Sequence, residues 1–150
     1  MTPYKELVKQ LSRDEGRIPH AYYDSMGYLT IGVGHLIDPR LGGRISETVI
    51  DILLEDDIAE KVLQVRRALP WSMQLDEVRF GALVNMAFQL GINGLLQFKK
   101  TLKFIQEGKW QAAHDEALKC YTSLKGDEWP EQTPDRAKRV AKQILTGEWQ

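Results

Sequence analysis

Glu15, Asp24 and Thr30 fall within one short stretch, DEGRIPHAYYDSMGYLTIGVGH, and their side chains suit one kind of chemistry. Glu15 follows an amphipathic segment, Asp24 stands in a turn nine residues later, and Thr30 lies on the β-prone run after it. Cleaving a glycosidic bond takes two carboxylates on either side of the sugar–sugar linkage, one giving a proton and one handling the attacking group. Each residue also has an ordinary reading. A Glu at a helix end is a solvated charge, an Asp at the start of a turn caps its own backbone, and a Thr suits a strand. The three together, in this order, carry the chemistry.

The elements that must position them can be read from spacing. Thr2-Pro3 is a helix start, and Tyr4, Leu7, Val8 and Leu11 make one apolar face. From Ile18 to His35 the pattern changes: Pro19, the Asp24-Ser25-Met26-Gly27 turn signal and the Tyr28-Leu29-Thr30-Ile31 run predict two or three short antiparallel strands. Asp38 to Gly43 reads as a loop. Ser46 then caps a long helix ending before Pro70, with Ile58, Val62, Val65 and Leu69 as its buried stripe. Further helices follow over Leu75 to Leu90, Leu95 to Glu107 and Trp110 to about Tyr121, closed in turn by Gly91, Gly108 and a Lys125-Gly126-Asp127 turn. Thr133-Pro134 starts a last helix with Ala137, Val140, Ala141 and Ile144 inward and Gly147 at its end. The expected fold class is α+β. A small antiparallel sheet lobe (about 15–45) is joined by a connecting helix (46–69) to a larger all-helical lobe (1–14 and 71–150), in one catalytic domain.

Composition narrows the function. At 150 residues and 43% hydrophobic, the chain can bury one full core. Twenty Lys+Arg against 21 Asp+Glu give a net charge of -1, without the basic excess of a nucleic-acid binder or of a cationic membrane disrupter. Cys120 is the only cysteine, so no intramolecular disulfide forms, and it reads as a small core residue. His20, His35 and His114 are scattered without metal-ligand spacing, so no metal is expected. The Gly32-Val33-Gly34 run lacks the third glycine and the helix of a phosphate-binding loop. MTPYKELVKQLSRDEG has neither the basic start nor the apolar run of a signal peptide, and no stretch approaches the about 18 apolar residues of a membrane span. The expectation is a protein folded in the cytoplasm, without membrane insertion.

Three linked motifs, Glu15-Gly16, Tyr22-Tyr23-Asp24 and Gly27-Tyr28-Leu29-Thr30-Ile31-Gly32-Val33-Gly34-His35, resemble the catalytic region of the phage-type lysozymes, the endolysins of tailed phages. Asn85-Met86-Ala87-Phe88-Gln89-Leu90-Gly91 and Gln132-Thr133-Pro134-Asp135-Arg136-Ala137-Lys138-Arg139 extend the resemblance across almost the whole chain. It implies a lysozyme-like fold and a muramidase that works without metal or organic cofactor. Glu15 would be the general acid, partly desolvated so that it holds its proton near neutral pH. Asp24 would be the base that orients and deprotonates water, helped by the Thr30 hydroxyl. The reaction would invert the anomeric centre, which requires room for water between carboxylate and sugar.

The same resemblance implies supporting roles. Arg136 would pair with Glu15 or Asp14, His35 and Asp57 would form a structural salt bridge, and Gln89 would line the cleft floor. Leu36, Phe88 and Thr101 fall at sugar-contact positions, although Leu36 and Phe88 also read as core. A monomer acting on bacterial peptidoglycan is implied. It would wait in the host cytoplasm and reach the periplasm through a holin-type permeabiliser. The sequence departs from the family at Pro19-His20, in the loop after His35, in a Trp-bearing segment from Lys125 to Glu131 read as an insertion, and at Glu116, where an amide is expected. A lytic transglycosylase would have no need of Asp24 and Thr30. A catalytically silent wall binder would have lost one of the three side chains, and a membrane-active protein would need a strongly basic amphipathic helix.

Overall fold

The computed structural model describes residues 12–13, 16–37, 43–119 and 129–150. The chain divides into two compact units, Met1–Ile52 and Leu53–Gln150. The apolar face Tyr4 to Leu11, the loop 38–42, Cys120 and the Lys125 to Asp127 turn lie outside the described residues.

In the first unit, β-prone residues separated by a tight turn form a three-stranded antiparallel sheet in the order β1-β2-β3. The strands are β1 (Ile18–Tyr23), β2 (Leu29–Gly32) and β3 (His35–Leu36). The turn from β1 to β2 closes through Asp24 N–H to Tyr28 O and Gly27 N–H to Asp24 O, both at 2.9 Å. Gly27 sits at φ 81°, a backbone shape that residues with a Cβ rarely adopt. Tyr22 pairs with Thr30 and Tyr23 with Leu29, while the register slips between Ile18 and Tyr22. On the other side Thr30 pairs with Leu36 and Ile31 with His35.

Helix α1 (Glu47–Ala68) begins after Ser46, whose Oγ accepts from Val49 N–H at 3.4 Å. Glu47 in its first turn and Arg66 and Arg67 in its last complement the helix dipole. At 22 residues it is about 33 Å long. The expected stripe holds only toward its C-terminal end. Val65 and Leu69 are buried and Val62 is half-buried, but Ile58 is 41% exposed. The reason is that Val65 and Leu69 enter the core of the helical unit, whereas Ile58 lines an open cavity.

The second unit continues with a single 3-10 turn (Pro70–Gln74), then α2 (Glu77–Leu95), α3 (Lys99–Gln106), α4 (Trp110–Ala117), α5 (Trp129–Gln132) and α6 (Pro134–Thr146). Helix α6 packs against α2, α4 and α5, and α3 packs against α4. Leu83, Met86, Leu95, Phe98, Ile105, Trp129 and Ile144 are fully buried among them.

Several helix boundaries differ from the expected ones for local reasons. Asp76 accepts the Arg79 N–H at 2.9 Å, which starts α2 at Glu77 and leaves Leu75 outside. Gly91, at φ 71° and ψ 166°, breaks the helical path where expected, but one further turn runs on to Leu95. A tight turn then delays α3 to Lys99, and α4 stops at Ala117. Helix α6 matches its pattern: Ala137, Val140, Ala141 and Ile144 are buried, and Gly147 ends it at φ 69°. Arg79 secures that end by donating to Ile144 O at 2.8 Å and Leu145 O at 3.1 Å, while its guanidinium lies 4.1 Å from the centre of the Trp110 ring.

Candidate active site

The β1–β2 hairpin positions two of the three candidate catalytic side chains. Asp24 Oδ1 accepts two backbone N–H groups, from Met26 at 2.9 Å and Tyr28 at 2.8 Å. The turn thus anchors one carboxylate oxygen, while Oδ2 has no partner among the described residues. A carboxylate held in this way keeps a fixed orientation and retains an acceptor for a water or hydroxyl proton. Capping the turn through Oδ1 thus leaves Oδ2 for the chemistry expected of Asp24.

Thr30 stands on the central strand between Tyr22 and Leu36, and only 3% of it is exposed. Its hydroxyl donates to Tyr28 O at 3.0 Å, so the oxygen's lone pairs remain to accept a hydrogen bond. Leu36 is half-buried beside it on β3. Glu15 and Asp14 lie outside the described residues. His35 is exposed on β3, and Asp57 is an exposed residue of α1 in the second unit.

In the helical unit, α2 presents Asn85, Phe88 and Gln89. Phe88 is 39% exposed and lines a cavity of about 470 Å³ with Asn85, Arg136, Leu54 and Ile58, so it is not a core residue. Arg136 Nε donates to Asn85 Oδ1 at 2.9 Å and Arg136 Nη2 to Asn85 O at 3.2 Å. The guanidinium is therefore held from α2 by a neutral partner. Gln89 is fixed at both ends: its Nε2 donates to Thr133 Oγ1 at 2.9 Å and its Oε1 accepts from Trp129 Nε1 at 3.2 Å.

Trp129 is fully buried and meets Phe98 edge to face, with ring centroids 5.4 Å apart. The Lys125 to Glu131 segment, read as an insertion, therefore contains a core residue of the unit. Asn85, Trp129 and Thr133 were not singled out for support roles. Asn85 and Thr133 stood inside the quoted motifs, and the lone buried-type aromatic in a polar segment was the signal for Trp129.

Thr101 is 1% exposed on α3, and its Oγ1 has no hydrogen-bond partner among the described residues. It borders a second cavity with Glu116, whose Oε1 lies 3.7 Å from Lys100 Nζ. Among the described residues no group of three or more His, Cys, Asp or Glu side chains gathers at one point.

A small antiparallel sheet carrying an anchored Asp and a buried Thr, and a helical unit with an Arg–Asn and a Gln–Trp–Thr network, are consistent with an α+β, lysozyme-like fold. The chain belongs to the phage lysozyme family: residues 12–139 match the family model described as "Phage lysozyme". It is similar to two proteins of Dictyostelium discoideum, "Probable T4-type lysozyme 1" and "Probable T4-type lysozyme 2". Each is 34% identical over 167 aligned residues, covering 94% of this chain and 94% of the relative. It is also 31% identical over 170 residues to the "Pre-baseplate central spike protein Gp5" of Enterobacteria phage T4, spanning 97% of this chain but 28% of that one. The protein is a lysozyme, a glycoside hydrolase with peptidoglycan as its substrate. No helix among the described residues is long and apolar enough to cross a membrane.

Proposed function

We propose that this lysozyme cleaves the β-1,4 bond between N-acetylmuramic acid and N-acetylglucosamine by inverting hydrolysis, and that it serves host cell lysis. In this reading Glu15 protonates the leaving oxygen. Asp24 deprotonates the attacking water through its free Oδ2, and Thr30 orients that water by accepting a hydrogen bond. The observation that carries the reading is the hairpin: two backbone N–H groups hold Asp24 Oδ1 and leave the second oxygen open for chemistry. Leu36, Phe88, Gln89 and Thr101 contact the glycan, and His35 with Asp57 and Arg136 with Glu15 or Asp14 support the fold around it. The enzyme acts as a monomer. It waits in the host cytoplasm until a holin-type permeabiliser opens the way to the periplasm.

Product analysis tests the chemistry. Purified peptidoglycan digested in water should yield reducing N-acetylmuramic acid ends, released first as the α anomer. An initial β anomer would mean retention, and a 1,6-anhydro end would mean a lytic transglycosylase.

A further inference from the structure

We propose that Gly27 is a positioning residue for the reaction: its left-handed backbone aims the main chain of Tyr28 so that it holds Asp24 and Thr30 together. The inference rests on the reading of Asp24 as the base and Thr30 as its partner in orienting water.

Tyr28 is joined to both side chains through its main chain alone. Its N–H donates to Asp24 Oδ1 at 2.8 Å. Its carbonyl oxygen accepts from the Asp24 N–H at 2.9 Å and from the Thr30 hydroxyl at 3.0 Å. A carbonyl oxygen has two lone pairs, so these two donors fill it. One residue thus anchors an oxygen of the carboxylate and also decides where the Thr30 proton points, which leaves that hydroxyl oxygen to accept.

What aims Tyr28 is the residue before it. The Gly27 N–H donates to Asp24 O at 2.9 Å, which fixes the peptide group on one side of Gly27. Its φ of 81° then sets the direction of the next peptide group, the one that carries the Tyr28 N–H. A φ in the ordinary negative range would swing that N–H away from Asp24 Oδ1. Beyond the chain neighbours of Gly27, nothing lies within 4 Å of the point where its Cβ would stand. The space is open, and only the backbone shape calls for glycine.

Other contacts keep the hairpin together without this one. The Met26 N–H holds Asp24 Oδ1 independently at 2.9 Å, and across the strands Tyr22 pairs with Thr30 and Tyr23 with Leu29. A side chain at position 27 therefore loosens the two reacting groups relative to each other without removing either. Turnover is sensitive to such loosening, since a misplacement of about 1 Å can cost about 10²-fold.

Steady-state kinetics on soluble peptidoglycan fragments test this, with Gly27→Ala and Gly27→Asn, each alone and combined with Asp24→Asn. Gly27→Ala should lower kcat by about 10–10²-fold and leave KM unchanged, at a temperature well below its melting point. Asn visits the left-handed region far more readily than Ala and should recover most of the loss. With Asp24→Asn already in place, Gly27→Ala should cost little more, because the group it misplaces has lost its function. Four results would each overturn the role: a Gly27→Ala kcat within about twofold of the unsubstituted enzyme, a change confined to KM, an Asn variant as poor as the Ala one, or the same fractional loss in the Asp24→Asn background. Should Gly27→Ala fail to fold, NMR of the isotope-labelled unsubstituted protein decides. The Tyr28 amide proton should shift as Asp24 ionises and stop doing so in Asp24→Asn, and an amide blind to that ionisation would break the link. A wrong muramidase reading would show separately, in the product ends released by the unsubstituted enzyme, and a wrong base in full turnover by Asp24→Asn alone.

Discussion

Trp129 donates its indole N–H to Gln89 Oε1 across 3.2 Å, and the other end of the same amide donates to Thr133 Oγ1 at 2.9 Å. One residue of α5 and one at the start of α6 thus fix which end of the Gln89 amide is donor and which is acceptor. Sequence separations of 40 and 44 residues meet in a single side chain.

Trp129→Phe should keep most of the apolar volume and the contact with Phe98 while removing the donor. The half-buried Gln89 oxygen would then lack its partner, at a cost of about 1–3 kcal/mol. Urea unfolding should show the loss as a lowered midpoint with an unchanged slope.

Asp24→Asn should leave the hairpin intact, because an amide oxygen can accept the Met26 and Tyr28 N–H groups as the carboxylate does. With Asp24 as the base, as proposed above, turnover on cell wall should fall by about 10²–10⁴-fold. Asp24→Ala should add a stability loss by leaving both N–H groups without an acceptor. Similar melting temperatures for the two variants would mean that the turn does not depend on this side chain.

Arg136→Lys should lose more than a change of like charges suggests, since an ammonium cannot reproduce the two contacts to Asn85. A drop of about 1–3 kcal/mol is expected, with Arg136→Ala at the upper end. Asn85→Ala combined with Arg136→Ala in a double-mutant cycle should show coupling, and additivity would dissociate the pair.

Asp76 supplies an acid-sensitive contribution. Burial raises the pKa of its carboxyl, but the Arg79 backbone N–H, side-chain hydrogen bond and charge together outweigh this and hold it below its ordinary value of 3.8. Because the folded value is depressed, the contribution is present above 3.8 and is lost as pH falls through the folded value. The side chain is 44% exposed, so solvent screening keeps the pair to about 0–1 kcal/mol. Asp76→Asn should therefore lower the melting temperature slightly at pH 7 and converge on the unsubstituted protein in strong acid.

Expression in a Gram-negative cytoplasm should leave culture turbidity unchanged until chloroform or a holin is supplied, and lysis should follow promptly. A folded domain does not cross a bilayer unaided, because desolvating its polar surface is too costly. Lysis by the protein alone, in cells with intact inner membranes, would remove the permeabiliser from the proposal.

Elements whose cues are local were the most legible in the sequence. Helix α6 has its Thr-Pro start, four inward residues and terminal glycine where spacing puts them, and the Asp24 to Gly27 turn closes as its residue types require. Cues that depend on distant partners were not legible. Periodicity gave Ile58 the same status as Val65, because a repeat of apolar residues does not say where along the helix the core ends. Trp129 read as an insertion because its burial is decided by Phe98 and Gln89, 31 and 40 residues away. The Arg136 segment was recognisable as a motif, but its contact with Asn85 needed α2 and α6 to be seen side by side.

Gly147 illustrates how one position can be closed to change for two unrelated reasons. Its backbone lies at φ 69°, and a methyl group there would come within 2.6 Å of Arg79 Nη1. Removing either obstacle leaves the other standing: shortening Arg79 makes room without altering the handedness of the turn, and a turn-tolerant Asn still collides with the guanidinium. A side chain at 147 would therefore meet a left-handed backbone and also displace the Arg79 guanidinium from its contacts with Ile144 O and Leu145 O. In a library of random single substitutions, replacements at position 147 should lose more stability than those at its exposed neighbour Glu148.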